Sequence, residues 1–214
     1  MEKVEAPLAT FKMATNRLDD AGIDYVVFGG IAVWGYGRRR WTRDIDLLVK
    51  KADAKQVLAE LGEAGFKTEE RDHRWLYKAA MDHAHIDLIF RAKGEVILTS
   101  ELLERRKTVE IDGYPFQIMD PENLVLVKIL ATKEIRPADW YDAISILQNL
   151  KDVFDWHYFV EQATPHADKV LSFLFFVEAF GADGDGDRVI PAMIIHQLIN
   201  TYQRGQSSSK RRYA

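Results

Sequence analysis

The chain has 214 residues, a formal net charge of −4 and no cysteine, which excludes a disulfide scaffold and a thiolate metal site. Its length is enough for one large domain or two small ones with a sizeable core. The charged start Met1-Glu-Lys-Val-Glu5 lacks the apolar run of a signal peptide, and the greasiest stretch, 170–180, is too short to cross a bilayer, so a cytoplasmic protein without a membrane partner is expected.

Residues 7–21 place Leu8, Phe11, Ala14 and Leu18 at helical spacing and stop at Gly22. Tyr25-Val-Val-Phe28 then reads as a short apolar strand, and Ile31-Ala-Val-Trp34 as the first turn of a helix. Gly29 and Gly30 therefore lie where a strand hands over to a helix N-terminus. Free N–H groups and the helix dipole favour phosphate there, and glycine lets the phosphate come close. Asp44-Ile-Asp-Leu-Leu-Val49 reads as the next strand, with Asp44 and Asp46 on one face and Ile45 and Leu47 turned to a core. Two neighbouring carboxylates repel each other, and burying a lone charge is costly, so a cation belongs between them. Magnesium, which takes oxygen ligands and arrives with phosphate-bearing substrates, is the natural candidate. A phosphate anchor beside such a pair points to nucleoside triphosphate chemistry.

A helix is predicted over 54–64, with Val57, Leu58 and Leu61 on one side and Gly65 as its stop. Residues 75–81 and 85–91 read as a hairpin around Asp82-His-Ala84, which carries Asp87 back beside the first pair. A second hairpin joins 108–111 to 115–118 through Asp112-Gly113. Beyond Asp120 helical patterns take over, at 121–133, 138–150, 155–163, 167–180 and 191–203. The expected organisation is a mixed α/β domain over 1–120, a helical domain over 121–204 and a disordered basic tail over 205–214. The segment 121–204 holds twelve Asp and Glu against seven Lys and Arg, a balance poorly suited to a long nucleic-acid backbone. Asp183-Gly-Asp-Gly-Asp187 lacks the glycine and glutamate a calcium loop needs, and reads as an acidic loop between helices. His83 and His85 have no third partner at zinc spacing.

In its Gly29-Gly30 turn, short helix, Arg40-x-Thr42-x-Asp44-Ile45-Asp46 strand and later Asp87 in His85-Ile-Asp-Leu-Ile-Phe90, the chain resembles the DNA polymerase β-like nucleotidyltransferase superfamily. The wording is nearest to the small prokaryotic branch of AbiEii-type toxins and lincosamide-type antibiotic nucleotidyltransferases. The core likeness covers 22–90, and a looser one continues through Pro121-Glu-Asn-Leu-Val-Leu-Val-Lys128 and Arg136-Pro-Ala-Asp-Trp-Tyr-Asp142. Gly30 stands where serine is commoner in that turn.

The resemblance implies an α+β fold: a mixed-sheet nucleotidyltransferase core with helices on one face, then a helical C-terminal domain. It implies a Mg²⁺-dependent transfer of nucleoside monophosphate from an NTP (ATP, CTP or GTP) to an acceptor hydroxyl, with release of pyrophosphate. Asp44, Asp46 and Asp87 would be the catalytic carboxylates and would hold two Mg²⁺ ions. Gly29, Gly30, Arg40, Thr42 and Lys128 would bind the nucleotide, with Arg38 or Arg43 assisting Arg40. The acceptor is a toxin-like target such as tRNA or a small molecule such as an antibiotic, and a homodimer or an antitoxin partner is compatible with either. A catalytically silent nucleotide-binding regulatory module of the same fold is the alternative.

Overall fold

The computed structural model describes residues 7–39, 42–132, 138–180 and 188–210, with backbone alone at 180 and 205–210. Arg40, Trp41, Arg136 and the acidic stretch 183–187 lie outside the described residues. The chain divides into two compact units, Met1–Asp120 and Pro121–Ala214.

The first unit is a mixed α+β structure built on a seven-stranded sheet. Helix α1 (Leu8–Asp20) buries Leu8, Phe11, Ala14 and Leu18, the residues whose spacing defines its apolar face. Strand β1 (Tyr25–Phe28) is buried along its whole length, as its unbroken apolar run requires. Helix α2 (Gly29–Gly35) follows without a linker, and strand β2 (Asp44–Val49) returns antiparallel to β1. Helix α3 (Ala54–Glu63) buries Val57, Leu58 and Leu61. Its exit needs Gly65, whose φ of +92° a side chain would strain.

Strands β3 (Lys67–Asp72), β4 (Leu76–Met81) and β5 (Ala84–Ile89) come next, then a short helix α4 (Ser100–Arg105) and the hairpin of β6 (Lys107–Ile111) and β7 (Tyr114–Ile118). The strand order is β3-β4-β5-β2-β1-β7-β6. The pairs β2–β5 and β1–β7 are parallel, and the remaining neighbours are antiparallel. Helices α1 and α3 lie against the sheet.

Two elements go beyond the sequence expectation. Strand β3, Lys-Thr-Glu-Glu-Arg-Asp, has no apolar alternation and forms as an edge through its ladder with β4. Helix α4 is started by Thr99, whose hydroxyl accepts from the Leu102 N–H at 3.2 Å. The β4–β5 hairpin also differs from the expected three-residue loop, since Met81 pairs with Ala84 across Asp82-His83. Asp82 takes the left-handed conformation, with φ of 50°, that so tight a turn requires.

The second unit is helical: α5 (Pro121–Ala131), α6 (Ala138–Leu150), α7 (Trp156–Ala163), a 3₁₀ turn at Thr164–His166, α8 (Ala167–Phe180) and α9 (Ala192–Lys210). Phe159 and Phe173 are fully buried in it, and Trp140 packs edge-on to Phe173 with ring centroids 5.5 Å apart. Asp155 caps α7 through the Tyr158 N–H, while its own N–H donates to Glu122 Oε1 at 2.8 Å. Helix α9 continues to Lys210, into the segment expected to be a disordered tail. Once a helix is nucleated each further residue adds a hydrogen bond, so a polar Gln-Ser-Ser-Ser sequence can prolong it. Among the described residues no helix is long and apolar enough to cross a membrane.

Candidate active site

Strand β2 sits in the middle of the sheet and presents alternating faces. Ile45 and Leu47 are wholly buried, whereas Asp44 is exposed and Asp46 half-buried. The same alternation holds in β5, where Ile86 and Leu88 are buried and His85 and Asp87 reach solvent. The parallel register sets Asp46 against Asp87 and Asp44 against His85. Neighbouring strands lie about 4.8 Å apart, so Asp46 and Asp87 spring from adjacent positions on one face, with Asp44 about 6.6 Å along β2.

The glycine turn meets this face directly. Phe28 pairs with Asp46 across β1–β2, which brings Gly29 beside the carboxylate. A β-carbon at Gly29 would collide with Asp46 Oδ2 and stand 2.7 Å from its Cγ. Gly29 also has φ of +65°, the left-handed region that glycine tolerates best. Gly30 is buried in the first turn of α2. That helix is held against the β6–β7 hairpin because Gly35 leaves room for Ile118, whose Cδ1 would be 2.9 Å from a β-carbon there. Tyr36 pins its end by donating to the Met119 carbonyl at 2.7 Å.

The other expected nucleotide ligands differ in their surroundings. Thr42 Oγ1 accepts from the Asp44 N–H at 3.1 Å and donates to the Asp44 carbonyl at 3.0 Å, so its hydroxyl braces the entrance to β2. Arg39, between the two basic neighbours, pairs with Asp112 at 2.9 Å and lies 5.0 Å from the Trp34 ring centre. Lys128 belongs to the helical unit, where its side chain is 7% exposed and pairs with Asp139 and Asp142, each at 2.9 Å. Of the tryptophans, Trp140 and Trp156 pack on phenylalanines, and Trp75 is 43% exposed.

Sequence reasoning missed Lys78. It pairs with Asp87 across β4–β5, and its ammonium lies 2.6 Å from Asp87 Oδ1. Among the described residues no group of three or more His, Cys, Asp or Glu side chains gathers closely enough to hold a metal ion. The backbone register brings the carboxylates to one face, but Asp87 extends toward Lys78. The donors nevertheless suit a hard divalent cation, being carboxylate oxygens on neighbouring positions, and the absence of a side chain at Gly29 lets Asp46 Oδ2 lie against the turn. A surface cleft of about 450 Å³ lies elsewhere in this unit, lined by Lys12, Asn16, Arg17 and Tyr114 among others, and includes none of these carboxylates.

A mixed sheet carrying an Asp-x-Asp strand beside a glycine turn defines a nucleotidyltransferase fold, and the comparisons agree. Residues 3–175 match the family described as "Uncharacterised nucleotidyltransferase", and the chain belongs to it. It is therefore an enzyme of the nucleotidyl-transferring class. The structure is similar to that of the antibiotic-resistance factor ANT(2'')-Ia in solution, with a TM-score of 0.54 and 14% identity over 97% of this chain and 96% of that one. It is also similar to ANT(2'')-Ia in complex with adenylyl-2''-tobramycin, at a TM-score of 0.54 and 17% identity over 73% of this chain and 95% of that one. At these identities the likeness concerns the fold. No curated protein matches the chain in sequence.

Proposed function

We propose that this enzyme transfers a nucleoside monophosphate from an NTP to a hydroxyl group of its acceptor and releases pyrophosphate. The observation that carries the reading is the packing of Gly29 on the Asp46 carboxylate, with Asp87 in register beside it, which joins the glycine turn to an acidic face. Asp44, Asp46 and Asp87 would hold Mg²⁺, two ions in the full set. The metal, when bound, supplies Lewis-acid neutralisation of the charge that develops on the triphosphate.

The chain's own groups account for the other requirements. The Gly29 and Gly30 backbone receives the β- and γ-phosphates, and Arg40, with Arg38 or Arg43, neutralises the leaving pyrophosphate. Thr42 holds Asp44 in place through its backbone. Asp87 takes the proton of the acceptor hydroxyl as the acceptor oxygen bonds to the α-phosphorus and the bond from that phosphorus to the oxygen that leaves with pyrophosphate breaks. Lys128 is held by Asp139 and Asp142 inside the helical unit, to which we assign the binding of the acceptor.

A small cationic polyol is the favoured acceptor. The acidic balance of 121–204 supports it, as does the adenylyl-2''-tobramycin bound in the ANT(2'')-Ia complex, which shares this fold. A toxin-like target such as tRNA is the competing acceptor, and ATP, CTP and GTP are the donors to compare.

The test is incubation with each α-labelled NTP and Mg²⁺, offering aminoglycosides in one arm and tRNA in the other. We expect labelled small molecule and free pyrophosphate, and a loss of at least about 100-fold in Asp44→Ala/Asp46→Ala. Equal labelling by that variant refutes the reading. Label on tRNA alone would move the enzyme to the toxin-like group.

A further inference from the structure

Lys78 faces the third carboxylate, and no part of the proposed transfer uses it. Its position follows from register: Lys78 pairs with Asp87, just as Asp87 pairs with Asp46 on its other side. The side chains are 41% and 23% exposed, and the ammonium and carboxylate are 2.6 Å apart. A cation therefore already holds one oxygen of a carboxylate that a metal ion would share. The next residue of β4 on this face, Ala80, lies against His85 and adds no charge.

We infer that Lys78 is a positioning residue that competes with the divalent cation for Asp87, so that metal held at rest depends on Asp44 and Asp46. Asp87 joins that set only when its oxygen leaves the ammonium. The inference rests on the metal-binding reading of these carboxylates and adds to it the order in which they engage. A structural cross-strand ion pair would stabilise the sheet by a similar geometry, but it would not change the affinity for metal. The two roles are thus separable by measurement.

The experiment titrates Mn²⁺ into the nucleotide-free protein and follows free ion by electron paramagnetic resonance. In Lys78→Met the affinity should rise about two- to five-fold, the range expected when one partly exposed charge contact is removed. Lys78→Arg should restore the wild-type value. The gain should vanish in Lys78→Met/Asp87→Asn, since a coupling carried by Asp87 disappears with it. Lys67→Met removes one positive charge from the neighbouring edge strand and should leave the affinity unchanged.

An unchanged or lower affinity in Lys78→Met, or an equal rise in Lys67→Met, overturns the proposal. Lys78→Thr, a good strand former, gives the same readout if the methionine variant does not fold. Wild-type Mn²⁺ binding that survives Asp44→Ala/Asp46→Ala would instead overturn the underlying assignment of the carboxylates.

Discussion

Glycine is needed at position 29 for two separate reasons. Its φ of +65° costs an L-residue about 1–2 kcal/mol, and its α-carbon leaves no room for a side chain beside Asp46. Gly29→Ala should lower stability by at least that amount in thermal melting, because the clash adds to the backbone strain. It should also displace the Asp46 carboxylate, so that nucleotide transfer falls by about 100-fold or more. Activity lost without any stability change would mean that the backbone accommodates alanine and that the turn acts on the phosphate alone. Gly65 resembles Gly29 in its positive φ, but the nearest atom to a β-carbon there is the flexible end of Met81 at 3.3 Å. Only Gly29 of the two couples backbone shape to the Asp46 carboxylate.

At the level of elements, α5 and α6 are tied by the Lys128 ion pairs. Asp142 is fully buried and Lys128 nearly so, and removing one member of a buried pair costs about 3 kcal/mol. Lys128→Met should lower the urea midpoint accordingly, whether or not nucleotide is present. A variant of unchanged stability but weakened NTP binding would show that this lysine acts on the substrate. The β4–β5 hairpin shows how far such contacts can be read from sequence. The apolar alternation of β2 and β5 is enough to put Asp46 and Asp87 on exposed faces of buried strands. The partner of Asp87 depends instead on turn length. A three-residue loop at 82–84 would set Lys78 against Leu88, whereas the observed two-residue turn sets it against Asp87. One residue in a turn moves every side chain to another partner, and local pattern does not encode that choice. Strand β3 escaped for a related reason, since its partner strand, not its composition, makes it a strand.

For the molecule as a whole, stability against alkali is set partly by Tyr25. It is 1% exposed and its hydroxyl donates to Asp19 Oδ2 at 3.1 Å. Burial, followed by the Asp19 charge, raises its pKa well above the ordinary 10.0. The fold therefore binds this proton more tightly than the unfolded chain does. Its contribution is complete below about pH 10 and is lost as the pH rises from there through the raised folded value. Melting temperatures at pH 8 and pH 11 should fall more steeply for the native protein than for Tyr25→Phe. Parallel slopes would show that the phenol titrates as in the open chain.

The outer strand of the sheet has its own consequence for the company this enzyme keeps. Residues Lys67 to Arg71 of β3 are all exposed, and four of the five carry charge. A second polypeptide adding itself by backbone pairing along that margin would have to strip water from both signs of charge at once. On its β3 side the sheet thus ends in a charged border that disfavours the addition of a further strand.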